Sequence, residues 1–390
     1  MTIKYLSQFY KLGLNMRRKK ILITIITVLI ITSFAILFSE KFKSSYNDKP
    51  FVTLKLENKE YKIYTTYSPY YQGNQRKLKT IIPKLLLSFG TEKKDSLFFP
   101  IKIKMEAKGY IAILDQGDKS IKFFNSNKKL VKKIGGYGKG PGEFILPMNF
   151  YFDNSNNLYV VDINLRRVTI FKMKDTTSIT LNKDIPIEIC PINTQEIALL
   201  KSSINNENKP IEIRNIKDNI IRGYAPILNI EDNLPVFYDI SAITVGNILY
   251  NNNLIYIPNY LNHIIFFNQN GGIKNSVCTI DLNKFPIINN RAKYINNNRM
   301  IMGSFNELKK YKTNLNSYII DGDIFILSKD GTEKYNAIVF DRYEGKTGEY
   351  IDSWVIKGIS KFADICLTEN KLLIIDNKLA IKEYTYVKPI

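Results

Sequence analysis

Two stretches of this 390-residue chain repeat each other 47 residues apart, and that recurrence constrains the fold more than any other feature. Ile111–Asp115 (IAILD) matches Leu158–Asp162 (LYVVD), and at the same displacement Ile121–Phe124 (IKFF) matches Val168–Phe171 (VTIF). Each pair follows another β-like run and a polar turn: Ile101–Met105 before Glu106–Gly109, and Met148–Phe152 before Asp153–Asn157. A fourth run, Leu130–Ile134, closes the first unit. Four short strands in a period of roughly 40–50 residues form a small antiparallel sheet that buries its faces only against copies of itself.

Counting outward gives six such units. Further second-strand candidates are Ile197–Lys201, Leu254–Pro258, Ile324–Ser328 and Leu372–Asp376. Third-strand candidates follow at Ile211–Arg214, Ile264–Phe267, Ala337–Phe340 and Ile381–Tyr384. The last unit is one strand short. Leu85–Gly90 resembles Val131–Gly135, so Lys84–Phe89 is expected to supply the missing strand and close the ring. The expected fold is therefore all-β, a six-bladed β-propeller with four-stranded blades over residues 84–390. Tyr and Phe total 47 against one Trp, which suits pleated, half-buried strands.

Upstream, residues 51–83 read as a β-hairpin turning at Glu57–Lys59 and then a linker. Residues 285–312 show no clear strand period and read as an insertion between the fourth and fifth units.

The N-terminus sets the expected address. Residues 1–20 are basic, ending in Met16-Arg17-Arg18-Lys19-Lys20, and Ile21–Phe38 carries no charged residue. Eighteen helical residues cover about 27 Å, the thickness of bilayer hydrocarbon. The basic flank keeps the N-terminus cytoplasmic and sends the rest across. The segment is a transmembrane signal-anchor or, with Ser33-Phe34-Ala35 as its cleavage motif, a signal peptide; residues 39–50 are a tether. The expected localisation is the cell inner membrane with a periplasmic propeller, or secretion if the segment is cleaved. The net charge is +20, of which +14 lies beyond residue 38, interspersed with acids rather than in runs.

Between the first two units lies Gly135–Phe144, GGYGKGPGEF. It is not a phosphate loop, because Lys139 is followed by Gly and the chain continues into a strand rather than a helix. Gly136, Gly138, Gly140 and Gly142 allow positive φ in a tight blade-to-blade crossing, Pro141 stiffens it, and Phe144 packs between blades. The block Leu130–Phe171 resembles NHL-type repeats, and especially the six-bladed, TolB-like propeller proteins of bacterial envelopes. There a G-x-G-x-G-P-G-E-F/Y run joins blades and an Asp-x-x-x-x-Arg pattern follows the second strand. Gly136–Phe144 matches the first element, and Asp162 with Arg167 the second; at Asp115 the basic partner is replaced by Ser120. The resemblance implies the fold and a habit of ligand binding.

In a propeller the blade links and the second-to-third-strand links emerge on one face. Tyr137, Lys139, Glu143, Arg166, Arg167, His263, Arg291 and Arg299 are expected to share that face as a basic, partly aromatic binding rim. The alternative for Arg167 is a local brace on Asp162. His263 is the only histidine, so multi-histidine metal sites are excluded and any Ser-His-Asp or Cys-His system would have to use it. Asp115, Asp162 and Asp376 occupy matching positions, but Lys201, Pro258 and Ser328 stand at the others, so no acidic ring forms. Cys190, Cys278 and Cys366 form no CxxC and read as buried free thiols or one disulfide. The expected function is a membrane-tethered, non-catalytic binding or scaffold module for an envelope protein or glycan ligand, without cofactor, metal or nucleic acid. A propeller-type hydrolase or lyase acting on carbohydrates or lactones is the alternative.

Overall fold

The structure is a computed structural model. It describes residues 49–389 except 57–58, 92–96, 173–175, 181–183, 204–209, 218–219, 230–243, 282–284, 296–297, 304–310 and 360. The expected anchor, 21–38, lies outside the described residues; among those described, no helix is long and apolar enough to cross a membrane.

The described residues open with four strands that are shared among three sheets: β1 (Phe51–Leu56), β2 (Lys59–Tyr64), β3 (Leu78–Ile81) and β4 (Lys84–Phe89). Blade 1 is β5 (Pro100–Met105), β6 (Ile111–Asp115), β7 (Ser120–Phe124) and β8 (Leu130–Gly135). Blade 2 is β9 (Pro147–Phe152), β10 (Leu158–Asp162), β11 (Arg167–Phe171) and β12 (Thr176–Thr180). Blade 3 is β13 (Asp184–Pro191), β14 (Glu196–Ser203), β15 (Ile211–Asn215) and β16 (Ile220–Gly223). Blade 4 is β17 (Gly246–Asn251), β18 (Asn253–Pro258), β19 (His263–Phe267) and β20 (Ile273–Cys278).

The region read as an unpatterned insertion forms β21 (Ile287–Ile295) and β22 (Asn298–Gly303). This corrects the expectation: the two strands pair with each other, and β21 adds in parallel to β1, making a separate four-stranded sheet β2-β1-β21-β22. The hairpin's place is thereby settled, because Val52, Leu54 and Ile63 pack into the apolar cluster between blades 3 and 4. Blade 5 is β23 (Asn314–Ile320), β24 (Asp323–Ser328), β25 (Ile338–Tyr343) and β26 (Tyr350–Ile356), with helix α1 (Lys329–Tyr335) inserted between its second and third strands. Blade 6 is β27 (Asp364–Leu367), β28 (Lys371–Ile375) and β29 (Ile381–Thr385), completed by β4.

The expected closure is therefore found: β4 pairs antiparallel with β29, Phe89 opposite Ile381 and Lys84 opposite Thr385. The linker expected before it is not featureless. Its β3 lies parallel to β26 as a fifth strand of blade 5, Leu78 opposite Ser353.

The second strands show why the sequence reads as continuous apolar runs. In β6, Ile111 and Ile113 enter the cluster shared with blade 6, while Ala112 and Leu114 enter the one shared with blade 2. In β10, Leu158 and Val160 face blade 1, and Tyr159 and Val161 face blade 3. Strand side chains alternate between faces, so a sheet sandwiched between two others must be apolar at every position. The same split recurs in β14, β18, β24 and β28, giving one apolar cluster per blade interface. Each fully buried Leu or Ile contributes about 1.5–3 kcal/mol.

Candidate functional site

The blade 1–2 junction shows how the link face is built. Gly138 N–H donates to Phe144 O (3.1 Å), and Phe144 N–H donates to Gly136 O (2.8 Å), so the glycine run folds back as a small loop. Phe144 is fully buried between the blades, its ring 6.0 Å from Phe171. Gly135 has φ +94°, and a Cβ there would sit 2.4 Å from the Phe144 ring. Gly142 also has positive φ (+78°), and a Cβ on Gly138 would meet the Glu143 carboxylate at 1.9 Å. Gly136 and Gly140 have no such φ, and open space surrounds Gly136, so the backbone requirement falls on Gly135 and Gly142. The Glu143 carboxylate accepts from Gly140 N–H at 2.8 Å.

Arg167 braces this loop, though not through Asp162. Its guanidinium donates to the carbonyls of Lys139 (3.1 Å), Gly140 (2.8 Å) and Glu143 (2.6 Å). Asp162 caps the backbone: its carboxylate accepts from Ile145 (2.7 Å), Leu146 (3.1 Å), Asn164 (3.0 Å) and Leu165 (2.9 Å). Asp115 repeats this in blade 1, accepting from Phe98 (2.8 Å), Phe99 (2.7 Å) and Gly117 (3.0 Å). Lys122 joins it at 2.7 Å in place of the absent arginine brace. These acids seal turns.

The remaining rim residues divide. Tyr137 (74% exposed) and Lys139 project from the glycine loop, and Arg166 is half-buried in the neighbouring turn with φ +50°. Arg291 and Arg299 lie on β21 and β22, in the separate sheet that the connection between blades 4 and 5 forms with the hairpin. His263 must be withdrawn from any exposed face. It is buried under the N-terminal segment, its Nδ1 2.9 Å from the Tyr67 hydroxyl, and Nε2 has no partner among the described residues. Burial pulls its pKa down to about 3, so the ring is neutral. The three cysteines are free thiols; Cys278 and Cys366 are buried.

Two features escaped sequence reasoning. The first is Arg76, which enters from the N-terminal segment between blades 4 and 5. Its guanidinium grips Asp341 through Nε (2.9 Å) and Nη2 (2.8 Å) and also pairs with Asp281. Ser328 lies 3.0 Å from it and donates to Asp281, and Ser353 donates to Asp341 at 2.6 Å. No local spacing announces a contact between positions so far apart in the chain.

The second is the axis. The first strands of successive blades lie side by side around the centre. Their polar side chains form an arc from blade 6 to blade 3. Asp364 accepts from Lys102 Nζ (3.0 Å) and Ile103 N–H (2.9 Å), and Lys104 Nζ sits 4.1 Å from the Tyr151 ring centroid. Asn149 donates to Tyr151 (2.7 Å) and to Glu188 (3.1 Å). Burial pushes Glu188 up to about 7 against the pull of Lys104 and Lys102, and burial lowers Lys104. Where blades 5, 6 and 1 meet, the arc opens into a cavity of about 530 Å³ lined by Lys102, Lys312, Lys329, Lys361, Glu333 and Asp364. Lys312, Lys361 and the start of α1 belong to blade links and a second-to-third-strand link, so the mouth opens on the glycine-loop face. Among the described residues, no three His, Cys, Asp or Glu side chains cluster as metal ligands.

The chain matches a family model described as a 6-bladed beta-propeller over residues 86–375. No curated protein matches it in sequence. Among solved structures, a member of the duf4221 family from Bacteroides vulgatus superposes with a TM-score of 0.52 at 11% identity, covering 80% of this chain and 98% of that one. A protein of Bacteroides fragilis described as exported gives 0.50 at 13% identity, covering 82% and 99%. Virginiamycin B lyase from Staphylococcus aureus gives 0.47 at 14% identity, covering 77% and 99%. At these identities the likeness is one of fold.

Proposed function

The chain belongs to the 6-bladed beta-propeller family, and on that premise we propose that it is a non-catalytic binding module, held outside the cytoplasmic membrane by residues 21–38. The observation that carries this reading is the cavity on the link face. At about 530 Å³ it falls in the range of ligand pockets, and polar side chains from three blades converge on it. The groups that could do acid–base chemistry are otherwise engaged: Lys102 with Asp364, Glu188 with Asn149, and the single histidine with Tyr67 away from the cavity. Tyr137 and Lys139 extend the same face and give a larger partner an aromatic and a cationic foothold.

The test is photo-crosslinking in the intact envelope from two positions: Lys361 at the mouth and Lys108 on the opposite face. A partner captured from position 361 and not from 108 is the expected result. Capture from 108 alone would overturn the assignment of the face. The anchor is tested by carbonate extraction, in which the chain is expected to stay with the membrane pellet.

A further inference from the structure

We propose that the mouth between blades 5, 6 and 1 is an oxyanion site, taking a ligand that carries a carboxylate or phosphate group, with Lys312 as its anchoring cation. The inference rests on reading the link face as the binding face and names what that face selects.

The argument is one of charge already spent. Four lysines line the cavity, Lys102, Lys312, Lys329 and Lys361, against two acids, Asp364 and Glu333. Asp364 is engaged on both oxygens, one on Lys102 Nζ at 3.0 Å and the other on Ile103 N–H at 2.9 Å. Glu333 faces Lys329 at 3.6 Å, one helical turn along α1. That leaves Lys312 and Lys361 without an acid of their own: Asp364 attracts Lys312 but is already paired with Lys102. Lys361 is exposed and water solvates it, but Lys312 is half-buried and has no hydrogen-bond or ion-pair partner among the described residues. Its surroundings disfavour its charge, first through burial and then through Lys102 and Lys329, an effect that Asp364 only partly offsets. A partly desolvated ammonium beside two other ammonium groups is a costly arrangement unless something negative joins it. An oxyanion placed among Lys312, Lys102 and Lys329 would supply that charge and accept their N–H donors. Leu315 and Phe362, both half-buried against the same cavity, leave an apolar wall for the body of the ligand.

The test is calorimetric titration of the full chain, purified in neutral detergent at physiological ionic strength, with inorganic phosphate, glucuronate and glucose. Saturable one-site binding of phosphate, of glucuronate or of both is expected, and none of glucose. Phosphate alone marks a phosphoryl ligand and glucuronate alone a carboxylate ligand. Lys312→Met is expected to weaken anion binding at least about tenfold, the value of one charge-assisted contact. Lys361→Glu is expected to weaken it several-fold, while Lys108→Glu, with the same change in net charge on the opposite face, leaves it unchanged. If Lys312→Met does not fold, the Lys361→Glu and Lys108→Glu pair decides. No saturable anion binding, glucose binding as well as the anions, or equal effects of Lys361→Glu and Lys108→Glu would overturn the oxyanion site. Partner capture from position 361 without anion binding overturns this inference and leaves the binding-face reading standing; loss of both overturns both.

Discussion

Blades 1 and 5 solve the same problem at the same position with different means. At the end of the second strand, blade 1 has Asp115 and blade 5 has Ser328. Asp115 gathers N–H groups from its own turn and from the upstream link, at Phe98 and Phe99. Blade 2 does likewise with Asp162. Ser328 is too short to span a link. It caps α1 through Gly331 N–H and hands its own proton to Asp281 in the preceding link, whose charge is answered by Arg76. The blade 1 and blade 2 turns are thus sealed by local turn chemistry, the blade 4–5 junction by a buried cation borrowed from the N-terminal segment. Local seals cost little to form and fail one turn at a time. A borrowed ion couples three distant segments and fails as a unit.

The contrast makes Arg76→Ala the most damaging single change. It strands Asp281 and Asp341 without their cation, and the expected loss is about 3–5 kcal/mol in equilibrium urea unfolding. If the loss is no greater than that for Asp162→Ala, the distinction between the local turns and the blade 4–5 junction collapses. On the local side, Asp162→Ala and Gly135→Ala should each cost about 2–3 kcal/mol. The first leaves four N–H groups uncapped; the second forces a Cβ against buried Phe144 at a positive φ. Arg167→Met should cost about 1 kcal/mol and loosen the glycine loop, seen as faster amide exchange at Gly138.

Two buried groups should also answer pH in opposite senses. His263 lies under the N-terminal segment with a pKa of about 3, below its unfolded value of 6.5. The folded state refuses a proton that the unfolded state accepts, so this contribution is present above pH 6.5 and is lost as pH falls toward 3. Because His263 is the sole histidine, its ring resonances need no assignment; they should not titrate between pH 5 and 8. In Arg76→Ala they should titrate nearer 6.5 if the segment lifts away. Glu188, on the axis, behaves the other way. Its pKa of about 7 lies above the unfolded 4.5, so its contribution is present below pH 4.5 and is lost as pH rises through 7. Glu188→Gln should remove that slope and add about 1 kcal/mol above pH 7, discounted from the full shift because water reaches the channel.

What could be read from the sequence divides along the same line. The six units, their second strands and the role of Lys84–Phe89 were legible because blade interfaces demand apolar residues on both faces and because β4 still looks like the strand it replaces. The packing of Phe144 was legible because local chemistry leaves a local motif, and the same motif marked Asp162 and Arg167 without showing that the first caps N–H groups and the second grips carbonyls. β21 and β22 were not, since these Asn- and Arg-rich strands carry no apolar alternation. Arg76, Gln72 and β3 were missed for a deeper reason. Gln72 bridges Cys278 O, Gly348 O and Tyr350 N–H, partners more than 200 positions away, and nothing near it in the chain marks the role. The oxyanion mouth combines both difficulties, because its lysines come from separate links and read singly as ordinary surface charge.

The pairing of β4 with β29 has a bearing on biogenesis. An early segment, Leu85–Leu87 among it, must wait for almost the whole ring to be made before it finds its neighbour, and its side chains stay partly exposed even then. Long-range closure of this kind is slow, because the loop entropy is lost before the last contact repays it. An interrupted product would therefore display a sticky, unclaimed leucine edge. That edge distinguishes unfinished molecules from finished ones, and a surveillance protease or holdase could sort them by it.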